Sequence, residues 1–350
     1  MRPVGAVLFG LLAERYGRRP TLMLNIVFFS VFEVASAFAP TFRSFLWLRG
    51  LFGIAMGGEW GVGAALALET LPAANRGFFA GLLQEGYAAG NLLAAAAYGV
   101  LAIAYHGHSF APWRVLFLVG ALPSLLVLYI RQGVAESPAW KSSKGERGTF
   151  RGMWQALQGH WLTMAGLVLL MTGLNSLSHG TQDLYPTFLK GVHHLSPRVV
   201  SLIAMVGTVG ALAGGPSWGA ASERWGRRRT LAAAALLAIP VVPLWIWGHS
   251  LVWLAVGGFL MQFMVQGAWG VVPAHLNEMS PAPLRALLPG LAYQLGNLIS
   301  SRNAVLQTAL AASVFGGSLA PVLAWTVVAV SVWVALAAWT GREARGVKLS

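Results

Sequence analysis

The chain has 350 residues, of which 56% are hydrophobic and 10% charged, against roughly 25% charged in a soluble globular domain, so a soluble fold is excluded. The formal net charge is +13, but the basic residues sit between apolar runs rather than on one polar face, which argues for membrane loops and against nucleic acid as a partner. Cysteine is absent, which rules out disulfides and thiolate metal sites.

Apolar runs of about 20 residues recur along the chain and do not alternate, so the expected fold class is an all-α polytopic membrane protein. The first run, 1–13, carries Arg2 near its start but lacks the small-x-small cleavage site of a signal peptide. It leads directly into Glu14-Arg15-Tyr16-Gly17-Arg18-Arg19. Further spans are expected over 21–39, 44–68, 78–105 and 113–130, which closes a first bundle at residues 1–130. A polar connector, 131–160, holds Glu136, Lys141, Lys144, Glu146, Arg147 and Arg151. Spans near 161–187, 199–221, 230–248, 251–277, 284–313 and 319–340 then build a second bundle, 161–340, before a tail at 341–350. With the Glu14–Arg19 loop placed inside, most of the 24 Lys and Arg fall on inside segments, which gives about 11 spans and a cytoplasmic C-terminus in a cell membrane.

The chain repeats itself. Glu14, Arg15, Gly17, Arg18 and Arg19 recur as Glu223, Arg224, Gly226, Arg227 and Arg228, at an offset of 223 − 14 = 209. Glu69-x-x-Pro72-x-x-x-Arg76 recurs as Glu278-x-x-Pro281-x-x-x-Arg285, and 278 − 69 is again 209. Two separate motifs with one offset indicate two pseudo-symmetric helical bundles.

One apolar span is unusual. Asn175, His179 and Asp183 are four apart and share a helix face, with Ser178 and Gln182 in the row beside them. Titratable groups inside an apolar segment mark a pathway in many membrane proteins. Pro186 should bend or end this helix. The stretch resembles the Asn-x-x-Ser/Asp-His-x-Ser/Asp-Gln-Asp-x-x-x-Thr signature of the fungal lactate/pyruvate:proton symporters, the Jen family. That family is grouped with bacterial sialate:proton symporters in the major facilitator superfamily. Asn175, Ser178, His179, Gln182, Asp183 and Thr187 match, while Thr181 stands where Ser or Asp is usual and keeps a hydroxyl.

The Glu14–Arg19 loop likewise resembles motif A of that superfamily, with Glu14 in place of the usual Asp. The resemblance implies a major facilitator fold that begins at its second helix. The offset would place the missing first helix about 48 residues ahead of Met1, which we therefore expect to be an internal methionine or a mis-called start. It also implies that Glu14, Arg18, Glu223 and Arg227 form a cytoplasmic gate. As residues alone, the two loops also admit a reading as positive-inside anchors.

Four acids lie within spans: Glu33, Glu59, Glu85 and Asp183. Glu33 reads as structural, whereas Glu59 and Glu85 read either as structural partners or as proton carriers. Asp183 stands about 22 residues past Trp161, roughly 33 Å along a helix and near the outer mouth, so it reads equally as a substrate-entry or a midplane residue. An anionic substrate needs a positive partner, and the candidates are Arg49, Arg302 and protonated His179. Arg49 reads equally as a residue that snorkels to the surface. Gln294 resembles a polar eleventh-helix position of the same symporters, which implies a hydrogen bond to substrate. Gly207-x-x-Gly210-x-x-x-Gly214 reads as helix packing, and His106-Gly107-His108 and His193-His194 lack further metal ligands.

No nucleophile–base set stands out, so neither an enzyme nor a cofactor is expected. The resemblance implies proton-coupled uptake of a small monocarboxylate, with an organic acid and a proton as cargo, lipid as surroundings and a monomer as the expected state. Another organic acid such as sialate, or a non-transporting sensor or truncated remnant, remains open at this point.

Overall fold

In the computed structural model, residues 1–104, 112–142 and 150–349 are described. His106 and His108, and Lys144, Glu146 and Arg147 of the connector, lie outside them. Every regular element among the described residues is helical. The first half holds α1 (Arg2–Tyr16), α2 (Arg18–Ala37), α3 (Phe42–Glu69), α4 (Arg76–Gln84), α5 (Gly86–Ala104), α6 (Pro112–Val119) and α7 (Leu126–Gly133). Two short helices, α8 (Pro138–Ser142) and α9 (Phe150–Gly159), lie in the connector. The second half holds α10 (Trp161–Gln182), α11 (Tyr185–Gly191), α12 (Pro197–Trp225), α13 (Arg227–Leu237), α14 (Val242–Trp247), α15 (Leu251–Met279), α16 (Leu288–Ser300), α17 (Asn303–Val314) and α18 (Leu319–Thr340).

Eight helical segments among the described residues are long and apolar enough to cross a membrane. The other expected spans fall short for local reasons. α1 has 15 residues, α4 and α5 part at Glu85, and α16 and α17 part at Ser301-Arg302. Proline sets several breaks, because it lacks the N–H that continues a helix. Pro123 and Pro240 lie in 3-10 turns that interrupt the spans over 113–130 and 230–248. The helix over 161–187 ends at Gln182, earlier than the expected bend at Pro186. Pro186 instead sits in the first turn of α11, where a missing N–H costs little.

The larger buried cluster belongs to the second half, around Leu174, Trp245, Met261, Trp269 and Leu323. A smaller one joins Phe9, Ala13, Val62 and Ala65 to Ala286 of the second half. Small residues carry the helix contacts, as expected where lipid offers no hydrophobic driving force. A Cβ on Gly210 would fall 2.2 Å from the Phe259 carbonyl oxygen, and one on Gly214 2.4 Å from that of Phe263, so the glycine run of α12 packs on α15.

Candidate functional site

Each half turns through a glycine with positive φ, Gly17 at 113° and Gly226 at 90°. A carboxylate lies against each turn. A Cβ on Gly17 would come within 2.3 Å of Glu136 Oε2, and one on Gly226 within 2.6 Å of Glu343 Oε2. Glu136 accepts from the N–H groups of Arg18 and Arg19 at 3.1 and 3.2 Å. Glu343 accepts from those of Arg227 and Arg228 at 3.1 and 3.2 Å. These carboxylates satisfy the free N–H groups that open α2 and α13.

The arginines after those glycines are buried and paired. Arg18 meets Glu14 at 2.7 Å and Glu69 at 3.2 Å. Arg227 meets Glu223 at 3.1 Å and Glu278 at 2.9 Å. Two of these acids also reach across the seam between the halves. Glu14 accepts from the N–H of Ala286 at 2.6 Å, and Glu223 accepts from the N–H of Gly77. Those donors are equivalent, since 286 − 77 is again 209. Arg76 adds an ion pair to Glu278 at 3.1 Å. Glycines let the backbones close: a Cβ on Gly77 would fall 2.3 Å from the Gly219 carbonyl oxygen, and one on Gly81 2.3 Å from that of Gly215.

Past this charged end, three rings cross the seam. Tyr293 lies 4.9 Å from Trp60 of the first half and 5.6 Å from Trp269, centroid to centroid. A cavity of about 220 Å³ lies beyond them, toward the opposite end. Gln182 and Tyr185, Thr208, and Gln262 and Gln266 line it from the second half, and Tyr87 and Asn91 from the first. No charged side chain or histidine lines it among the described residues. Gln182 Nε2 donates to Gln262 Oε1 at 3.0 Å and to Ser178 Oγ at 3.3 Å, and Gln266 Nε2 donates to Ser178 Oγ at 3.1 Å. Ser178 and Gln182 are one turn apart on α10, as are Gln262 and Gln266 on α15, so two polar rows face each other.

The candidate residues are spread over several environments. Of the candidate residues on α10, the cavity meets Gln182, while Ser178 lies behind it and holds Gln182 and Gln266. Asn175 is buried and donates to its own helix at the Met171 carbonyl, 2.8 Å away. His179 and Asp183 pair at 3.2 Å with both side chains 40% exposed, apart from the cavity lining. Thr187 and Arg302 are exposed, Arg302 at the break between α16 and α17. Gln294 is buried, with its Oε1 lacking a partner.

Arg49 is engaged within the first half. It pairs with Glu33 at 2.7 Å and lies over Phe52 and Phe117 at 4.1 and 4.6 Å. Glu59 has no hydrogen-bond or ion-pair partner among the described residues. The carboxyl group of Glu85, a residue 6% exposed, also has none and lies against the α12 backbone at Gly215, close to the cavity residues Tyr87 and Ala88.

Sequence reading missed Gln262 and Gln266, although two glutamines four apart in an apolar run are a usable signal. It noted Glu69, Glu278, Arg76 and Arg285 as a repeat without assigning their partners. It gave no weight to Glu136 and Glu343 as helix caps.

The family model for sugar (and other) transporters matches residues 1–160 and 175–337. A carboxylic acid transporter protein homolog of Saccharomyces cerevisiae is 31% identical over 334 residues, covering 89% of this chain and 53% of the yeast protein. The chain thus spans about half the length of that relative. The sialic acid transporter NanX of Escherichia coli is 28% identical over 300 residues, covering 84% of this chain and 71% of that protein. Among solved structures, the major facilitator proton:xylose symporter XylE superposes with a TM-score of 0.74 at 20% identity, covering 99% of this chain and 85% of its own. FucP in an outward conformation superposes with a TM-score of 0.73 at 11% identity, covering 95% of this chain and 86% of its own. The fold is the major facilitator fold, and these relatives are carriers, not enzymes. The chain belongs to the sugar (and other) transporter family.

Proposed function

We propose that the chain moves a small organic acid together with a proton, with monocarboxylates of the lactate and pyruvate type as the substrate class. The observation that carries this reading is the cavity lined by Gln182, Gln262, Gln266, Thr181, Thr208 and Asn91. Its polar groups are amides and hydroxyls, which can hydrogen-bond both oxygens of a carboxyl group without a fixed cation. Its volume, about 220 Å³, lies below the ~300–1,000 Å³ of sites for drug-sized ligands. That favours an acid of a few carbons over a large sugar acid.

In this reading His179 and Asp183, half-exposed at the end of α10, form the entry for substrate and proton. Glu85 is the next proton site, a carboxyl group in a span with no cation beside it. Gln294 and Asn175, buried outside the cavity lining, support it from behind, and Glu59 stands beside the aromatic layer at Trp60. Glu14, Arg18, Glu223 and Arg227, with Glu69, Glu278 and Arg76, hold the charged end shut while the cavity faces the other side. The excess of Lys and Arg puts the charged end in the cytoplasm. The printed name of the yeast relative, a carboxylic acid transporter homolog, agrees with the substrate class.

The test is flux in proteoliposomes holding the purified chain. Labelled lactate, pyruvate, sialate and shikimate are supplied against an alkaline interior. Lactate or pyruvate should accumulate, more so as the outside pH falls, and a protonophore should abolish the gradient. Accumulation that follows sodium and ignores the protonophore would overturn the coupling. Preference for sialate would overturn the substrate class.

A further inference from the structure

Beyond α18 the chain does not leave the charged end but runs back across it. Arg345 Nη1 donates to the Arg224 carbonyl at 2.6 Å. Arg76 Nη1 donates to the Val347 carbonyl at 2.9 Å, and Arg285 Nη1 to the Leu349 carbonyl at 2.5 Å. Arg76 and Arg285 are equivalent residues of the two halves, 285 − 76 = 209 apart. The tail is therefore gripped by the same side chain from both halves at once. Leu349 is 2% exposed and packs with Leu68 and Ala80 of the first half and Ala274 of the second.

We infer that residues 345–349 form a latch that locks the two halves together at the charged end and must leave before that end opens. The inference rests on the proposed transport cycle in one respect, that the halves part here. When they part, Arg76 moves away from Arg285, and Leu68 and Ala80 move away from Ala274. A segment five residues long that is anchored on both sides cannot keep both anchors. Its contacts therefore exist in one state of the cycle only, and a contact present in only one state shifts the equilibrium toward that state. Arg285 strengthens the argument. The Leu349 carbonyl is its one hydrogen-bond partner among the described residues, so lifting the tail strands a largely buried guanidinium until water reaches it. The latch thus favours the state whose cavity faces away from the tail. Any partner that draws the tail off would speed opening toward the tail's side.

The chain has no cysteine, so single thiol reporters need no cleared background. One reporter is Ala80→Cys, under Leu349, and the other is Ala204→Cys, in the cavity wall. Each is placed in the unaltered chain, in Leu349→Asp, and in a chain that stops after Gly346. Membrane-impermeant maleimide is applied from each side of sealed vesicles. Releasing the latch should raise labelling at position 80 from the tail side and lower labelling at position 204 from the other side, each at least about fivefold. Lys348→Ala should change neither rate. The shortened chain loses no helix, so it reports even if Leu349→Asp does not fold. Any result in which the two rates do not move in opposite directions overturns the latch; a rise at position 80 alone would make the tail a mere cover. Lactate uptake by the unaltered chain is measured in the same vesicles. Its absence would sink the transport reading and leave the labelling result standing.

Discussion

The two halves close the charged end with equivalent residues, yet the seam between them is not symmetric. In the first half Glu69 accepts from Arg18 and from the hydroxyl of Ser137, the residue after the capping Glu136. In the second half the residue after the capping Glu343 is Ala344, which has no hydroxyl. There Glu278 accepts from Arg227 and, across the seam, from Arg76. Arg285, the equivalent of Arg76, finds no carboxylate and turns to the Leu349 carbonyl. The halves thus differ both in this hydroxyl and in the partners of the equivalent arginines, Arg76 crossing the seam to Glu278 and Arg285 holding the tail.

The largest test compares the two buried acids. Glu278→Ala strands parts of two cations, Arg227 and Arg76, and breaking a buried pair costs about 3–5 kcal/mol. Glu69→Ala removes a partner from Arg18 alone, which keeps Glu14 at 2.7 Å, so about 1–3 kcal/mol is expected. Denaturant unfolding of the detergent-solubilised variants measures both. Equal losses would break the asymmetry.

The interiors differ more than the charged ends do. The second half supplies the amide rows, and the first half adds Tyr87, Ala88 and Asn91. Gln266→Ala removes one donor to Ser178 and should raise the KM for the transported acid about tenfold, the scale of one lost hydrogen bond of roughly 1.4 kcal/mol. Asp183→Asn keeps the shape of α10 and should reach the membrane normally but lose proton-driven accumulation while retaining exchange. Leu169→Ala, on an exposed apolar position of the same helix, should leave both properties intact. Normal driven accumulation in Asp183→Asn would remove the His179–Asp183 pair from the proposed path.

A smaller effect follows from exchanging the odd hydroxyl. Ala344→Ser offers Glu278 a local donor that competes with Arg76. A double-mutant cycle on Arg76 and Glu278 should then give a coupling about 1 kcal/mol weaker than in the unaltered chain. Ser137→Ala should free an oxygen of Glu69 for Arg285 and create a coupling between those two. Cycles that do not change in either background would show that backbone geometry, not the hydroxyl, directs Arg76.

These outcomes also mark what was legible before the structure. Glu14, Arg18, Glu223 and Arg227 stood out because five residues recur at a fixed offset, but that they form charge contacts was implied only by the family resemblance. The caps Glu136 and Glu343 were not legible, because their separation, 343 − 136 = 207, differs from the repeat and only folding brings them to Gly17 and Gly226. The one proline break expected, at Pro186, comes four residues late, since α10 ends at Gln182, and the breaks at Pro123, Pro240 and Glu85 were not read. Its flanking Gln84 and Gly86 do not forbid a continuous helix. On α10 the spacing assigned residues to rows correctly, but periodicity carries no information on which row faces a cavity. That depends on Gln262 and Gln266, 80 and 88 residues away from their partners Gln182 and Ser178.

The smallest expected effect concerns the cap of the second half. Burial works to raise the Glu343 carboxyl, but the backbone N–H groups of Arg227, Arg228 and Arg345 outweigh it, so the group lies below its ordinary value of 4.5. A carboxyl depressed on folding stabilises fully above that ordinary value and loses its contribution as pH falls through the lower folded value. Glu343→Gln keeps the size but replaces half of the acceptor with a donor, so it should lower the unfolding temperature at pH 7. The gap between the two proteins should hold from pH 7 down to about 5 and then shrink as the carboxylate of the unaltered chain takes up its proton. Because Glu343 is exposed, the gap is expected to be a degree or two only. It bears on the comparison nonetheless. The tail departs from this cap, so a weakened cap should also raise maleimide labelling at position 80 in the Ala80→Cys chain. A gap that widened with acid would mean that the carboxyl is held above its ordinary value, and that burial, not the three N–H groups, governs this corner.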